Sequence, residues 1–272
     1  MYRQDASGAA NGGRRHVPSI PVCGGMRVLA RSYRRGTRLD THMHREAQLI
    51  FAERGVMQVT TPKGRWLVPP ARAVWVPPRL EHAIDVLADI EMRALYAEPE
   101  WLATHPEAPR LTREFVVAVG PLLRESVLAL FGDQIHPRRA EVLAELVLYE
   151  LAEAEDPATF MPMPADARAR QVAALVLADP LVERDLDDLA LAAGASPRTV
   201  TRLFPDETGL TFREWRRRAR IMAAAEMLSS GSRPVKDVSS RFGFSSTAAF
   251  GHAFREVMGM TPGEFQRRSG GF

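Results

Sequence analysis

Apolar residues follow two different rhythms along this chain of 272 residues. Between about Met26 and Glu98 they come in short runs: Gln48–Ala52, Val56–Thr60, Trp66–Val68, Ala73–Val76 and Met92–Ala97. The runs are cut by Arg54-Gly55, Pro62-Lys63-Gly64, Pro69-Pro70 and Pro77-Pro78. Short, evenly spaced strands with tight turns predict an all-β sandwich or barrel. After Pro106 the rhythm lengthens. Leu111, Phe115, Val119, Leu122 and Leu123, then Val142, Leu143, Leu146, Val147, Tyr149 and Leu151, recur at helical spacing and predict helices at about 109–131 and 137–155. Residues 156–164, DPATFMPMP, have three prolines in nine positions and no period, the pattern of an interdomain linker. Beyond it helical stretches are expected near 165–178, 185–193, 197–204, 211–228, 234–242, 247–257 and 262–267. Residues 1–20 mix Gly, Ser, Ala and Arg without periodicity and read as a flexible tail. The expected fold class is α+β: a β domain closed by two helices (21–155), the linker, and an all-α domain (165–272).

At roughly 150 residues per domain, this length agrees with two domains. An apolar fraction of 46% with 25% charged residues is that of a globular protein. No stretch reaches the ~18 apolar residues of a membrane helix, and the start has no apolar signal-peptide core. Cys23 is the one cysteine, which excludes an intramolecular disulfide and a cysteine-cluster zinc site. These features point to a cytoplasmic protein. Charge sharpens the division. Residues 1–165 carry 20 basic and 20 acidic side chains, whereas 198–268 carry 13 and 7 and 166–197 carry 3 and 6. A basic surface beside an acidic one suits an oriented polyanion-binding module. With only Lys63 and Lys236 against 34 arginines, a compositional bias is also at work, so single arginines carry less weight.

Leu186–Phe204, LDDLALAAGASPRTVTRLF, holds the strongest local signal. A helix-turn-helix needs a small residue where its helices cross, a glycine four positions later for the left-handed turn, and apolar residues six and nine beyond it. Ala190, Gly194, Val200 and Leu203 meet those offsets, and Ser196-Pro197 forms an N-cap and first-turn pair. Arg198, Thr201 and Arg202 share the opposite face, the one that would enter a major groove. A second copy, Val235–Phe254, has Ser239 and Gly243 four apart, a turn one residue longer, and Thr247, Gly251 and His252 facing outward. Between the two lies a helix, Thr211–Leu228, with Arg213, Arg216, Arg217, Arg218 and Arg220. An arginine run is more often a solvated face, but beside two groove-entering helices it favours phosphate contact.

In LFPDETGLTFREWRRRARIMAAAEML and GFSSTAAFGHAFREVMGMTPGEFQRR the segment from about 165 to 268 resembles the AraC family of bacterial transcription regulators. The resemblance implies a seven-helix module with two helix-turn-helices on one linker helix, reading adjacent major-groove segments of an asymmetric site. It implies DNA contacts at Arg198, Thr201, Arg202, Thr247, Gly251, His252, Arg216, Arg217, Arg220 and Arg255, with RNA polymerase as a further partner. Two positions depart from the family pattern. Pro205 stands where Lys or Arg is usual and predicts that the first recognition helix ends or kinks at Phe204. His252 stands where Arg is common, which predicts weaker base reading by the second unit.

His42, His44 and His82 are three of only seven histidines. Gly36–Gly55 reads G-x5-H-x-H-x3-Q-x6-G and Pro77–His82 reads P-x-R-x-x-H, and both resemble the cupin motifs, with Gln48 in place of Glu and Arg79 in place of Gly. On one strand His42 and His44 would share a face, and a third imidazole from a neighbouring strand would complete a set able to hold Zn²⁺, Ni²⁺ or Fe²⁺, with Gln48 beside it. The alternative is that these residues line a small-molecule pocket, or pack, without metal. Many AraC-type regulators carry such a barrel before the DNA-binding module, and TTPKGRWLVPPARAVWVPPRLEHAIDVL resembles a subgroup of them. The implied protein is therefore not an enzyme: its cupin-like domain senses a small molecule or metal and controls promoter binding. The competing class is a metal-dependent, oxygenase-like cupin enzyme fused to a DNA-binding module. No P-loop, G-x-G-x-x-G, G-x-S-x-G or H-E-x-x-H signature is present. The helices at 109–155 either pack on the barrel or pair two subunits into a homodimer.

Overall fold

Alternating faces organise the first half of the protein, seen in a computed structural model that describes residues 20–69, 72–132, 135–154, 160–181, 184–229, 231 and 233–269. The predicted tail lies outside the described residues except for Ile20. Ten of the strands come before the linker: β1 (Ile20–Cys23), β2 (Met26–Tyr33), β3 (Arg38–His42), β4 (Ala47–Arg54), β5 (Met57–Thr61), β6 (Gly64–Val68), β7 (Arg72–Val76), β8 (His82–Val86), β9 (Ile90–Ala97) and β10 (Phe115–Ala118). With β11 (Phe160–Pro162) they form two antiparallel sheets, ordered β1-β2-β9-β4-β7-β10 and β11-β6-β5-β8-β3. Ile50, Ala52, Val74, Val76, Met92 and Ala94 of the first sheet face Met57, Val59, Trp66, Val68, Ile84 and Val86 of the second, and these side chains fill the lumen.

The opposite faces are buried too, which is why β4 and β7 read as continuous apolar runs and not as alternation. Leu49, Phe51, Ala73, Trp75 and Leu95 pack outward against helices α2 (Pro121–Ala129) and α3 (Pro137–Glu153). The helix expected at 109–131 is corrected: Ala108–Leu111 is a 3-10 turn, Phe115–Ala118 is strand β10 paired with β7, and only Pro121–Ala129 is helical. The β-branched pair Val116-Val117 suits a strand, and Gly120-Pro121 restarts the chain as helix. A short helix, α1 (Pro99–Leu102), precedes that turn.

The second half is seven helices: α4 (Ala167–Ala178), α5 (Leu186–Ala192), α6 (Pro197–Thr208), α7 (Phe212–Ser229), α8 (Val235–Arg241), α9 (Thr247–Met258) and α10 (Pro262–Ser269). Their core centres on Trp215, Phe204, Phe250, Phe254 and Phe265, all at most 0% exposed. That core also takes in Val56, Leu67 and Ala88 from the outer face of the second sheet, so the two domains share one apolar cluster. Part of the expected linker is likewise structured. Phe160–Pro162 pairs with β6 as an added strand, and Phe160 stacks on Trp66 at 4.6 Å between ring centroids. Trp215 Nε1 donates to the Pro162 carbonyl (2.7 Å) and Arg218 Nη1 to that of Phe160 (2.8 Å), so β11 is held from both sides. Arg72 of β7 crosses the seam and donates from Nη2 to the Met258 carbonyl at 3.1 Å. A Cβ at Gly259 (φ +72°) would sit 2.5 Å from that guanidinium nitrogen, so glycine suits this position on both counts.

Candidate functional site

One end of the barrel gathers the three histidines. The register of β3 against β8 places His42 directly opposite His82, while His44 lies just beyond the end of β3 and not on it as expected. One ring nitrogen of each of the three lies within 4.8 Å of the others, and ring centroids are 4.4 Å (His42–His82), 5.2 Å (His44–His82) and 6.1 Å (His42–His44) apart. Each Nδ1 faces a backbone carbonyl: Asp40 at 2.7 Å, Glu46 at 2.7 Å and Leu80 at 3.0 Å for His42, His44 and His82. A carbonyl only accepts, so each Nδ1 carries the proton and donates, leaving Nε2 with its lone pair. Fixing the tautomer in this way is what backbone acceptors do behind metal-binding imidazoles. Burial, the largest cause, pushes the pKa of His82 down to about 4, so its ring is neutral at pH 7.

Gln48, only 2% exposed, completes the set. Its Oε1 lies 3.0 Å from His44 Nε2 and 3.2 Å from His82 Nε2, and its Nε2 donates to the Tyr96 hydroxyl at 2.8 Å. In that orientation an oxygen and two imidazole lone pairs converge, an arrangement that a cation at their centre satisfies. Turned end for end, the same amide donates to both rings and accepts from Tyr96, which satisfies the network with no cation. The donor set of three imidazoles and one amide oxygen therefore fits Zn²⁺, Ni²⁺ or Fe²⁺. Arg79, where the cupin pattern has glycine, takes φ +60°, and no other described non-glycine residue has a positive φ. Its amide donates to the His44 carbonyl at 2.9 Å, so this left-handed residue positions the turn that presents His44.

The two helix-turn-helix units take the geometry their offsets predict. Gly194 (φ +64°) and Gly243 (φ +72°) make the turns, and Ser196 and Ser246 cap α6 and α9 through the amides of Thr199 and Ala249, each at 3.1 Å. Val200, Leu203 and Phe204 are buried, as are Phe250 and Phe254. Arg198, Thr201 and Arg202 on α6 are exposed, and so are Thr247, His252 and Arg255 on α9, with Gly251 half-buried among them. The expected end at Phe204 is corrected: α6 runs through Pro205 to Thr208, as long as α9 at 12 residues. Pro205 removes one backbone donor on the exposed face of the helix, and α6 continues because Leu203 and Phe204 beside it stay buried.

Carboxylates accompany the candidate readers. Arg202 pairs with Asp206 at 3.4 Å, and Glu256 pairs with Arg217 of α7 and with His252, the latter at 3.4 Å. Both Asp206 and Glu256 stand four residues after a reader, a spacing legible on the helix face although the residues themselves escaped the sequence reading. Arg216 and Arg220 are half-buried on α7. Arg218, the third of the arginine run, turns toward β11, so phosphate contact is not the use of all three.

Residues 24–152 match the AraC-like ligand binding domain and residues 189–268 match a helix-turn-helix domain. The chain is 32% identical over 231 residues to the HTH-type transcriptional regulator NimR of Escherichia coli (strain K12), covering 84% of this chain and 82% of that protein. It is 30% identical over 148 residues to the arabinose operon regulatory protein of the same organism, covering 50% of each. Among solved structures, ToxT from Vibrio cholerae O395 aligns at TM-score 0.39 and 12% identity, covering 91% of this chain and 99% of that one. A ligand-binding barrel followed by paired helix-turn-helices defines a DNA-binding transcription regulator with an N-terminal ligand-binding domain. The chain belongs to the AraC family of such regulators.

Proposed function

We propose that the chamber around His42, His44, His82 and Gln48 is where this regulator receives its signal, and that occupancy there changes promoter binding. The observation that carries the reading is the convergence of three imidazoles whose Nδ1 atoms are all committed to backbone carbonyls. Zn²⁺, Ni²⁺ or Fe²⁺ held by these residues would supply positive charge and open coordination positions to a small effector. The barrel works as a sensor and not as an enzyme, in keeping with relatives that are transcriptional regulators. Arg198, Thr201 and Arg202 read bases, Thr247, Gly251 and His252 support the second half-site, and Arg216, Arg217, Arg220 and Arg255 meet phosphates. On α3, Val142 and Tyr149 are exposed on one face, and Leu122 is exposed on α2, the helix packed against α3, which favours a homodimer through this surface. RNA polymerase is the machinery such a regulator acts on, in the cytoplasm where the promoter lies.

Calorimetric titration of Zn²⁺ into the full chain tests the chamber. One site per chain is expected, lost in a His42→Ala/His82→Ala variant that still binds a DNA fragment selected from a random library. Equal Zn²⁺ stoichiometry in the variant would refute the ligand set. Oxygen consumption by the Fe²⁺-loaded protein with organic acids or phenols would favour the enzyme instead.

A further inference from the structure

The barrel lumen holds a cation with which no carboxylate among the described residues pairs. On β2, Arg27, Leu29, Arg31 and Tyr33 alternate on one face, and their partners across β9, Tyr96, Ala94, Met92 and Ile90, include the lumen core. Arg27 is satisfied twice over: it donates from Nε and Nη2 to Glu46 at 2.6 and 2.9 Å and lies 3.8 Å over the Tyr96 ring. Arg31, two pleat repeats further on and flanked by Leu29 and Tyr33, has a buried Nε without a hydrogen-bond partner, and no described carboxylate forms an ion pair with it. Arg72 also has a bare Nε, but its Nη2 holds the domain seam, so its burial already has a use.

Buried polar groups in native proteins are paired in the great majority, and an exception calls for a physical reason. For Arg31 the surroundings supply one. It stands on the same lumen face as Tyr96, whose hydroxyl accepts from Gln48, which in turn faces His44 and His82. Arg31 and Tyr33 therefore share the otherwise apolar lumen face with Tyr96, and through Gln48 that face leads to the imidazoles. A guanidinium presents a planar fork that matches a carboxylate in shape and charge, and gains most from it where water is scarce. Trp66, Ile84 and Met92 belong to the apolar core of the same lumen.

We propose that the effector received in this chamber is a small carboxylate, its oxygens paired with the Arg31 guanidinium. The proposal rests on the chamber being the signal-receiving site and is independent of whether the histidines hold a metal.

Thermal-shift and calorimetric titration of the full chain, treated with chelator and at constant ionic strength, tests it with acetate, benzoate and oxalate against acetamide, benzamide and oxamide. At least one carboxylate should raise Tm saturably while its amide does not. Arg31→Met should weaken that binding about tenfold or more, the scale of a lost charge-assisted hydrogen-bond pair, with Arg31→Lys in between. Zn²⁺ affinity should stay within about twofold in Arg31→Met. If no carboxylate outperforms its amide, or if Arg31→Met and Arg31→Lys both bind as the parent does, the proposal is overturned. Carboxylate binding that requires Arg31 but leaves DNA affinity unchanged would uphold the anion site and overturn the signal-receiving reading instead.

Discussion

Replacing Trp215 by Phe tests whether β11 couples the two domains. Trp215 is 0% exposed, stands edge-on to Phe204 at 5.3 Å, and spends its indole N–H on the Pro162 carbonyl 2.7 Å away. Phe keeps an aromatic ring but leaves that carbonyl buried without its donor, at about 1–3 kcal/mol. The smaller ring leaves a void worth about 1–2 kcal/mol more. The sum, about 3 kcal/mol, corresponds to a Tm loss of roughly 6–12 °C for a chain of this size. Trp75 provides the matched control, because its Nε1 donates to the Leu111 carbonyl at 2.8 Å entirely within the barrel domain. Urea unfolding followed by circular dichroism should show Trp75→Phe shifting the transition as a whole. Trp215→Phe should split it, since β11 is then held to the barrel but less firmly to α7. A Trp215→Phe protein that loses under about 1 kcal/mol, or whose transition moves unsplit like the control, would refute the coupling.

Three further outcomes follow from the same contacts. In titrations against a selected and a scrambled DNA fragment at several salt concentrations, Arg202→Ala should erase part of the preference between them, since a bidentate guanine contact carries about 1–3 kcal/mol of discrimination; equal losses on both fragments would move the reading role to α9. Arg217→Ala should weaken both fragments alike and lower the salt slope by about one unit, while Glu256→Gln, which leaves Arg217 without its pair, should strengthen both. The capping carboxyls Glu214 and Glu264, each accepting from the hydroxyl and amide of the threonine three residues before it, are held below the usual carboxylate pKa by those bonds. A lowered folded pKa gives stability that is present above the unfolded value and lost as pH falls through the folded one, so Glu264→Gln should be less stable than the parent at pH 7 and equal to it in strong acid, and a constant difference across that range would contradict the assignment.

The DNA-binding half was legible almost residue by residue because its constraints are local. A glycine at positive φ, a serine cap and apolar residues at fixed offsets act within about fifteen positions, so Gly194, Ser196, Val200 and Leu203 could be placed from spacing alone. What failed there was Pro205, where a local penalty on the exposed face was outweighed by the burial of Phe204 and Leu203. The segments 111–119 and 160–162 failed for the opposite reason. Phe115 and Phe160 become strands because β7 and β6 offer open edges, and an edge far away in sequence leaves no mark on the local period.

The site in the barrel shows the same limit at finer grain. The two histidine motifs were readable, and the β3–β8 register does set His42 against His82. Yet His44 reaches the cluster only because the chain leaves β3 and Arg79 holds the facing turn at φ +60°. A pattern with glycine at that position hides the reason for the glycine, and an arginine there reveals it: the backbone must be left-handed so that its N–H can meet the His44 carbonyl. Tyr96 had no signal at all, being one more alternate residue of β9 until the sheet sets it beside Gln48. Arg31 looked like one of 34 arginines, and only the parity of β2 turns its charge inward. Composition concealed it, because in so arginine-rich a chain one half-buried arginine with a bare, buried Nε is visible only once its described neighbours are known to offer no carboxylate.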